Sequence, residues 1–331
     1  MRRIHTAQTS RAESKESAIP LTAPTRARQS FRHEALLWNS ADEYRDVLVA
    51  FIADGLEADE PVMVATIAAH EDWLRDGLGS AADDVTFVDM GELGRNPARI
   101  IPAWQTFLDS AGRGRPVRGM GEPIWPGRRQ VEVAEGQLHE ALINLAVDPE
   151  TPFWLVCPYD VSGLEPGVVD EAARSHPALL QTDGYHGSGR YGGRAHIDLM
   201  FGGEFEDLNG PAVLATYDQA TVGRLYDFVA AHAGTAGLAH GRSADLAAAS
   251  QRLAAGSLHR GAASGRVIVR DQPDAVICEL VDDVPIGDPL VGRRTPLAAD
   301  VDGLWFVNQN SDLVRLRSNA AGTTVRIYAW K

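Results

Sequence analysis

The sequence predicts an α/β protein in two parts, a domain built on a mainly parallel sheet and a smaller α+β sandwich domain. Its length of 331 residues is typical of two domains rather than one. Between residues 31 and 180, short apolar runs alternate with helical patterns, as in a parallel sheet covered by helices. Beyond residue 211, two helical patterns precede a series of strand patterns, which is typical of an α+β domain.

In the first part, ordered structure is expected from FRHEALLW onward. The segment ADEYRDVLVAFIADGLEAD has apolar residues at helical spacing from Tyr44 to Leu56 and predicts a helix. Buried strands are predicted at EPVMVATI, DVTFVDM and FWLVCPYD, which are short and apolar. Further helices are predicted at HEDWLRDGL, at EVAEGQLHEALINLAV and at NPARIIPAWQTFLDSA, where Asn96 and Pro97 mark the start.

Residues 181–210 interrupt this alternation. TDGYHGSGRYGGRAHIDLMFGGEFEDLNG is rich in Gly and lacks periodicity, so it is predicted to be a linker. In residues 211–331, helices are predicted at YDQATVGRLYDFVAAHAGTAGL, RSADLAAASQRLAAGSLHRG and LWFVNQNSD. Strands are predicted at GRVIVRDQ, AVICELVDD, LVRLRS and TTVRIYAW. We therefore expect a sandwich with its helices on one face of the sheet.

Composition restricts the classes of partner and location. A formal net charge of −14 argues against direct nucleic-acid binding, which needs a positive surface. Residues 1–30 carry six Lys/Arg against two Glu without an apolar period, so we expect a disordered tail. Cys157 and Cys278 are too few for a disulfide framework or a CxxC metal site, and no metal ligands are assigned. Neither a secretory signal nor a membrane-spanning apolar run is evident, so a cytoplasmic protein is expected.

Polar and aromatic residues of the first part gather near strand ends and loops, where open α/β sheets bind ligands. Glu135 and His139 are four residues apart on one predicted helix and therefore share a face. Such a pair can bind a metal or a polar ligand, or form an internal hydrogen-bond network that fixes the helix on the sheet. The predicted ligand pocket comprises His33, Glu34, Glu122, Trp125, Glu135, His139 and Tyr159.

Several long strings in this part occur together in one family: FRHEALLW, MGELGRNPARIIPAW, RGMGEPIWPGR, EGQLHEALINLA, CPYD and SHP. Residues 31–180 thereby resemble the MEDS domain, a KaiC/RecA-like sensory module of bacterial and archaeal regulators. The resemblance implies that this part senses a small ligand. An ATPase with such a sheet would carry a GxxxxGK[ST] loop after its first strand, but IAAHEDWL follows here, without Gly or Lys. No phosphate site is therefore predicted in the first part.

The second part carries the strings DPLVGRRTP, GLWFVNQNSDLVRLRS and GTTVRIY. Residues 211–331 thereby resemble the GHKL ATPase fold of anti-sigma regulatory factors, the RsbW-like Ser/Thr kinases. Within that group the similarity is greatest to the RsbA-like actinobacterial proteins, where a MEDS module precedes the ATPase-like domain. The resemblance implies a sigma factor or a STAS-type anti-anti-sigma protein as partner, with homodimer formation as a further prediction.

The catalytic helix of that family carries a Glu base and two Asn residues that hold Mg²⁺. At those positions QRLAAGSLHRG has Gln251, Arg252 and Gly256. Arginine stays protonated and cannot act as a base. Glutamine is a weak replacement in a Mg²⁺ site, because its longer side chain displaces the oxygen and hard cations favour carboxylates. Phosphoryl transfer is therefore predicted to be lost.

The two glycine-containing nucleotide motifs are altered as well. Asp282 is kept at the strand end that would bind adenine, but Val284 and Ile286 occupy the positions of the expected glycines. In ADVDGLW only Gly303 remains, beside acidic residues. Gln251, Asp282 and Gly303 are thus predicted to be a vestigial nucleotide site, and neither ATP nor Mg²⁺ is expected as a cofactor.

These observations favour a non-catalytic signal regulator, and no catalytic residues are predicted. One alternative is an active Ser/Thr kinase or ATPase of the anti-sigma family with an atypical site. A third hypothesis is a metal-dependent enzyme that uses the region of Glu135 and His139.

Overall fold

A computed structural model of the chain describes residues 30–181, 184–296 and 299–331. The fold is mixed α/β, with a mostly parallel seven-stranded sheet and a separate antiparallel five-stranded sheet. The coarse fold class predicted from the sequence is therefore confirmed. The predicted tail lies outside the described residues except for residue 30. Within the described ranges, no helix is both long and apolar enough to cross a membrane.

The seven-stranded sheet has the order β3-β2-β4-β5-β1-β6-β7. Its strands are β1 (Arg32–Trp38), β2 (Val62–Thr66), β3 (Thr86–Asp89), β4 (Val117–Gly121), β5 (Phe153–Asp160), β6 (Ala178–Gln181) and β7 (Gly184–Gly187). Neighbouring strands are parallel except β7, which is antiparallel to β6. The pairing of β1 with β5 joins residues more than 100 positions apart in the chain, and it brings the two strands that carry most of the site together.

Helices cover both faces of this sheet. They are α1 (Ala41–Glu57), α2 (Ala68–Leu78), α3 (Met90–Leu93), α4 (Ile100–Ala111), α5 (Gln130–Ala146), α6 (Pro166–Ser175) and α7 (Gly193–Gly202). Because side chains alternate along a strand, Trp154 of β5 packs in the core under α1 and α2, whereas Leu155 packs in the core under α4, α5 and α6. This alternation decides which polar side chains of β1 and β5 can meet.

Residues 181–210, predicted to be a Gly-rich linker, contain strand β7 and helix α7. Strand β7 extends the first sheet beside β6. Helix α7 places Ile197 in the core of the first part and Phe201 in the core of the second. These two apolar residues lie only one helical turn apart and are flanked by glycines, so the sequence shows no helical period of apolar residues here. The domain boundaries themselves stay a prediction.

The five-stranded sheet has the order β11-β12-β10-β9-β8 and is antiparallel throughout. Its elements are β8 (Ala212–Asp218), α8 (Leu225–Thr235), α9 (His240–His259), β9 (Ser264–Asp271), β10 (Ala275–Asp282), α10 (Leu304–Asn310), β11 (Leu313–Asn319) and β12 (Gly322–Trp330). Val229, Leu253 and Val307 of the three helices share one apolar core with Val314 of the sheet. The helices therefore cover one face, as expected from the sequence.

The opposite face of this sheet packs against the first part of the chain. Leu313 and Tyr328 form an apolar cluster there, and Val131 of α5 packs against it. A second contact is made by Asn96, which is fully buried and whose amide donates to the Asn308 carbonyl oxygen at 3.0 Å. Apolar and polar contacts thus join the two parts.

Candidate functional site

The structure does not bring the seven predicted pocket residues into one cavity. Glu34 and His33 are neighbours on β1 and point to opposite faces of the sheet. Glu34 pairs with Arg32, at 2.7 Å, and with Tyr185. The remaining residues divide among the Tyr159 and His139 side of the sheet, the carboxyl edge near Glu122, and the boundary between the two parts, where Trp125 and Glu135 lie.

His33 belongs to a buried group that we call the histidine cluster: His33, Glu140, Cys157 and His176. The Nε2 atoms of His33 and His176 lie 2.9 and 3.2 Å from the same carboxylate oxygen, Oε2 of Glu140. The Cys157 sulfur lies 3.4 Å from Nε2 of His33. One ligand-type atom from each of the four residues lies within 4.8 Å of the other three. Four potential metal ligands therefore converge on one point in the core.

Neighbouring groups fix the orientation of both imidazole rings. The amide nitrogen of Asn144 donates to the carbonyl oxygens of Ser175 and Glu140, so its oxygen faces His33 and accepts from Nδ1 at 3.1 Å. The Nδ1 atom of His176 lies 2.9 Å from the carbonyl oxygen of Ala172, which can only accept. In each neutral ring the proton is therefore on Nδ1, and the Nε2 lone pair faces Glu140.

Burial determines much of the electrostatics of this cluster. It lowers the pKa of His33, and the neighbouring His176 lowers it further. Burial opposes the ionisation of Glu140, but the two histidines beside it hold the pKa of this carboxyl below its ordinary value. Burial raises the pKa of the Cys157 thiol well above its usual range, and Glu140 adds to this shift. Without a bound cation, the cluster therefore holds the Glu140 carboxylate beside the neutral thiol of Cys157.

Tyr159 and His139 lie near the histidine cluster without supplying ligand atoms to it. The Tyr159 ring contacts the His176 ring edge to face, with centroids 5.6 Å apart. His139 is buried, and its Nδ1 has no hydrogen-bond partner among the described residues. Burial lowers the pKa of His139 to about 3, so the ring is neutral at physiological pH.

Glu122 follows β4 at the carboxyl edge of the sheet and belongs to a different polar group. Its carboxylate accepts from Thr66 Oγ1 at 2.5 Å and lies 2.9 Å from His70 Nδ1. The rings of Tyr44 and Trp73 pack against His70, with the Trp73 ring stacked at 4.5 Å. Burial and the Glu122 charge raise the pKa of Tyr44 well above its ordinary value. This edge carries a carboxylate and an imidazole among aromatic rings, where open α/β sheets bind ligands.

Glu135 is fully buried and reaches across to the second part of the chain. Its carboxylate accepts from Arg293 and, at 3.4 Å, from Arg317. Arg315 lies 3.7 Å away and also pairs with Glu206 at 2.5 Å. We call Glu135 and these three arginines the Glu135 cluster. It joins α5 to β11 and to the loop that carries Arg293.

Trp125 lines a cleft of about 510 Å³ between the two parts of the chain, into which Trp330 projects from β12. The guanidinium of Arg128 lies over the Trp125 ring, 4.5 Å from its centroid. Arg95 and Arg129 also line the cleft, so its wall is predominantly basic.

The three residues of the predicted vestigial nucleotide site are engaged within the chain. The Gln251 amide donates to the carbonyl oxygen of Gly223 at 3.1 Å, and the Asp282 carboxylate accepts from Arg260 at 3.0 Å. Gly303 directly precedes α10 with a φ of 75°, and a Cβ there would lie 2.5 Å from Arg252.

Gly256 has a packing role that the sequence did not reveal. A Cβ at this position would lie 2.3 Å from the carbonyl oxygen of Asp302. Glycine therefore lets α9 contact the backbone of the loop before α10 directly. The surface of α9 beside Gly256 is thus covered by the protein's own chain.

Sequence reasoning missed the three arginines of the Glu135 cluster, His70 beside Glu122, and three members of the histidine cluster: Glu140, Cys157 and His176. Cys157 and His176 lie in CPYD and SHP, which were noted as strings only. Glu140 directly follows His139, and its helical position turns it toward β1 rather than along the face shared by Glu135 and His139. The sequence does not show that β1 pairs with β5. This parallel pairing places Cys157 opposite Ala35, two residues along β1 from His33.

Comparison with known families gives a match for the first part of the chain. Residues 32–177 match the family described as MEDS, the MEthanogen/methylotroph, DcmR Sensory domain. A comparison with curated proteins finds no match. The matched range extends from β1 to the residue before β6 and includes both the histidine cluster and Glu122. The resemblance found for the first part of the chain is therefore confirmed.

Proposed function

From the sensory-domain match over residues 32–177, we propose that the protein is a cytoplasmic signal regulator of the anti-sigma-factor type. The first part binds a small ligand, and residues 211–331 form a GHKL-like domain that binds a sigma factor or a STAS-type partner. The match to a sensory family is the observation that carries the proposal, because it covers nearly all of the first part.

The Glu135 cluster supports communication between the two parts. Helix α5 carries Glu135, whose arginine partners all belong to the second part, and also Glu140 in the core of the first. A shift of α5 that accompanies ligand binding changes the contacts of a buried carboxylate. Such contacts are costly to break without replacement. Coupling between two sites requires an element whose position depends on the events at both sites. Helix α5 is such an element, because it contacts both.

The residues of α9 and their contacts count against phosphoryl transfer. Arg252 stands where a general base is required and remains protonated. Its guanidinium donates to the Asp300 carbonyl oxygen at 3.0 Å. Asp282 is paired with Arg260. The alternative of an active kinase with an atypical site rests on the retained Asp282 alone.

Isothermal titration calorimetry with Mg-ATP tests the non-catalytic proposal. We expect no binding at tens of micromolar protein. A Kd below about 50 μM, or roughly −6 kcal/mol, would contradict it. As a second arm, Arg252→Glu alone is expected to leave ATP hydrolysis at background, because Gln251 is a weak replacement for a Mg²⁺ ligand and Gly256 supplies none.

A further inference from the structure

We propose that His33, Glu140, Cys157 and His176 bind one zinc ion in a four-coordinate site. The inference departs from the sequence-based expectation of no metal ligands. It does not depend on the proposed signalling role, because it rests on the donor atoms and their geometry alone.

The spacing of the donor atoms suits a tetrahedral zinc ion. Zinc bonds of about 2.0–2.1 Å to nitrogen or oxygen and about 2.3 Å to sulfur place neighbouring ligands about 3.3–3.6 Å apart. The distances from Nε2 of His176 to the Glu140 oxygen, 3.2 Å, and from Nε2 of His33 to the Cys157 sulfur, 3.4 Å, are close to these values. The distance from His33 to Glu140 is 2.9 Å, and the other three pairs of ligand atoms lie within 4.8 Å, so binding of zinc requires side-chain adjustment toward equal spacing.

The hydrogen bonds around the cluster favour a cation at its centre. Both imidazoles donate from Nδ1 to outer partners, Asn144 and the Ala172 carbonyl oxygen, and direct Nε2 inward. This outer hydrogen bonding is typical of metal-bound histidine, because it fixes the tautomer and the ring orientation. Both Nε2 atoms thus face the same Glu140 oxygen, at 2.9 and 3.2 Å. Oε1 of Glu140 is also buried without a hydrogen-bond partner among the described residues.

The charges balance when zinc is bound. Zn²⁺ with the Glu140 carboxylate, a Cys157 thiolate and two neutral imidazoles has no net charge, which suits a fully buried site. The Cys157 proton leaves for solvent when the zinc–sulfur bond forms, so binding releases at least one proton. Nitrogen and sulfur donors disfavour Ca²⁺ and Mg²⁺, which prefer oxygen ligands.

The site joins four separate segments of the first part. Its ligands come from β1, α5, β5 and the residue that follows α6. All four ligands are protein side chains and the side chains are buried, as in structural rather than catalytic zinc sites. Zinc is therefore expected to stabilise the first part and to hold α5 against the sheet.

The first test measures metal in untagged, full-length protein. Purification without chelators, followed by elemental analysis, is expected to give about one zinc per chain. Replacing zinc by Co²⁺ is expected to produce the visible bands of a tetrahedral ion and a near-ultraviolet thiolate-to-cobalt band. A protein that takes up neither ion at one equivalent, after incubation and removal of excess metal, would overturn the proposal.

Cys157→Ser tests the sulfur ligand, and Cys278→Ser is its matched control. Cys278 is the other buried cysteine and lies in the second part, 3.0 Å from the Ser250 hydroxyl. Cys157→Ser should abolish the thiolate band and lower the affinity for zinc at least about 100-fold. Loss of a residue that only hydrogen-bonds to a ligand typically lowers metal affinity about 10–100-fold, and loss of a ligand itself should cost at least as much. Cys278→Ser should keep both the thiolate band and the affinity for zinc. Equal cobalt spectra for Cys157→Ser and the wild type would refute the site.

X-ray absorption of the zinc-loaded wild type keeps the proposal falsifiable where Cys157→Ser fails to fold. One sulfur at about 2.3 Å and three nitrogen or oxygen atoms at about 2.0–2.1 Å are expected. A shell of nitrogen and oxygen alone would show adventitious surface binding and overturn the proposal.

Discussion

Replacing Glu135 by Gln removes the negative charge that faces three arginines between the two parts of the chain. The amide keeps the shape of the carboxylate, so the change concerns charge rather than volume. Glu135 is 0% exposed, and its closest partner Arg293 has no other acidic partner among the described residues. Arg317 likewise keeps no acidic partner among the described residues and retains its contacts to the Leu316 carbonyl oxygen, at 2.7 Å, and to the Phe205 ring.

The magnitude follows from burial. Removing one member of a buried ion pair costs about 3–5 kcal/mol, because the remaining charge is desolvated without compensation. Arg315 retains Glu206 at 2.5 Å, and the new amide oxygen still accepts one hydrogen bond, so the lower end applies. We expect Glu135→Gln to lower the free energy of unfolding by about 3 kcal/mol. That corresponds to a fall in Tm of about 6–12 °C for a unit of this size.

Urea unfolding followed by tryptophan fluorescence, together with thermal melting, measures this loss. Glu206→Gln is the matched control, because Glu206 pairs with Arg315 and Arg326 but its side chain is 49% exposed. The control should lose less than about 1 kcal/mol, as exposed ion pairs do. A Glu135→Gln protein within about 0.5 kcal/mol of the wild type, or equal to the control, would refute the assignment of Glu135 as a buried bridge.

Three further predictions concern other parts of the structure. Gly256→Ala should destabilise the protein by about 1–3 kcal/mol in urea unfolding, because its Cβ meets the Asp302 carbonyl oxygen at 2.3 Å. Gly241→Ala, in open space on the same helix, should be neutral or stabilising by up to about 1 kcal/mol, and equal losses for the two would contradict this packing. His139→Ala should cost about 2–4 kcal/mol by leaving a cavity while preserving the cobalt spectrum, since His139 is not a ligand; a lost spectrum would count against the ligand set. Chelator-treated protein should melt at lower temperature than zinc-loaded protein, and coincident melting curves would argue against a stabilising zinc ion.

The sequence predicted the regular elements where their period was long. The stripe from Tyr44 to Leu56 predicted α1, which spans Ala41–Glu57, and the apolar run FWLVCPYD predicted β5 over the same residues. Helix α7 was missed because its buried residues, Ile197 and Phe201, are only one turn apart among glycines.

The candidate site was less predictable, because its geometry depends on strand order. His33 and Cys157, 124 residues apart in the chain, meet only because β1 pairs with β5. Glu135 and His139 do share a helix, but Glu135 is bound by arginines more than 150 residues distant in the chain. Local spacing contains no information about these partners, so the sequence suggested one pocket where the structure has several separate groups.

Capture from the native host tests whether this protein is a sensory regulator that binds its partner without phosphorylating it. Full-length protein is used as bait with and without Mg-ATP, and the captured proteins are identified and examined for phosphate by mass spectrometry. We expect a sigma factor or a STAS-type protein in equal amount under both conditions and without added phosphate. Capture of neither class, or a partner phosphorylated only when Mg-ATP is present, would contradict this role.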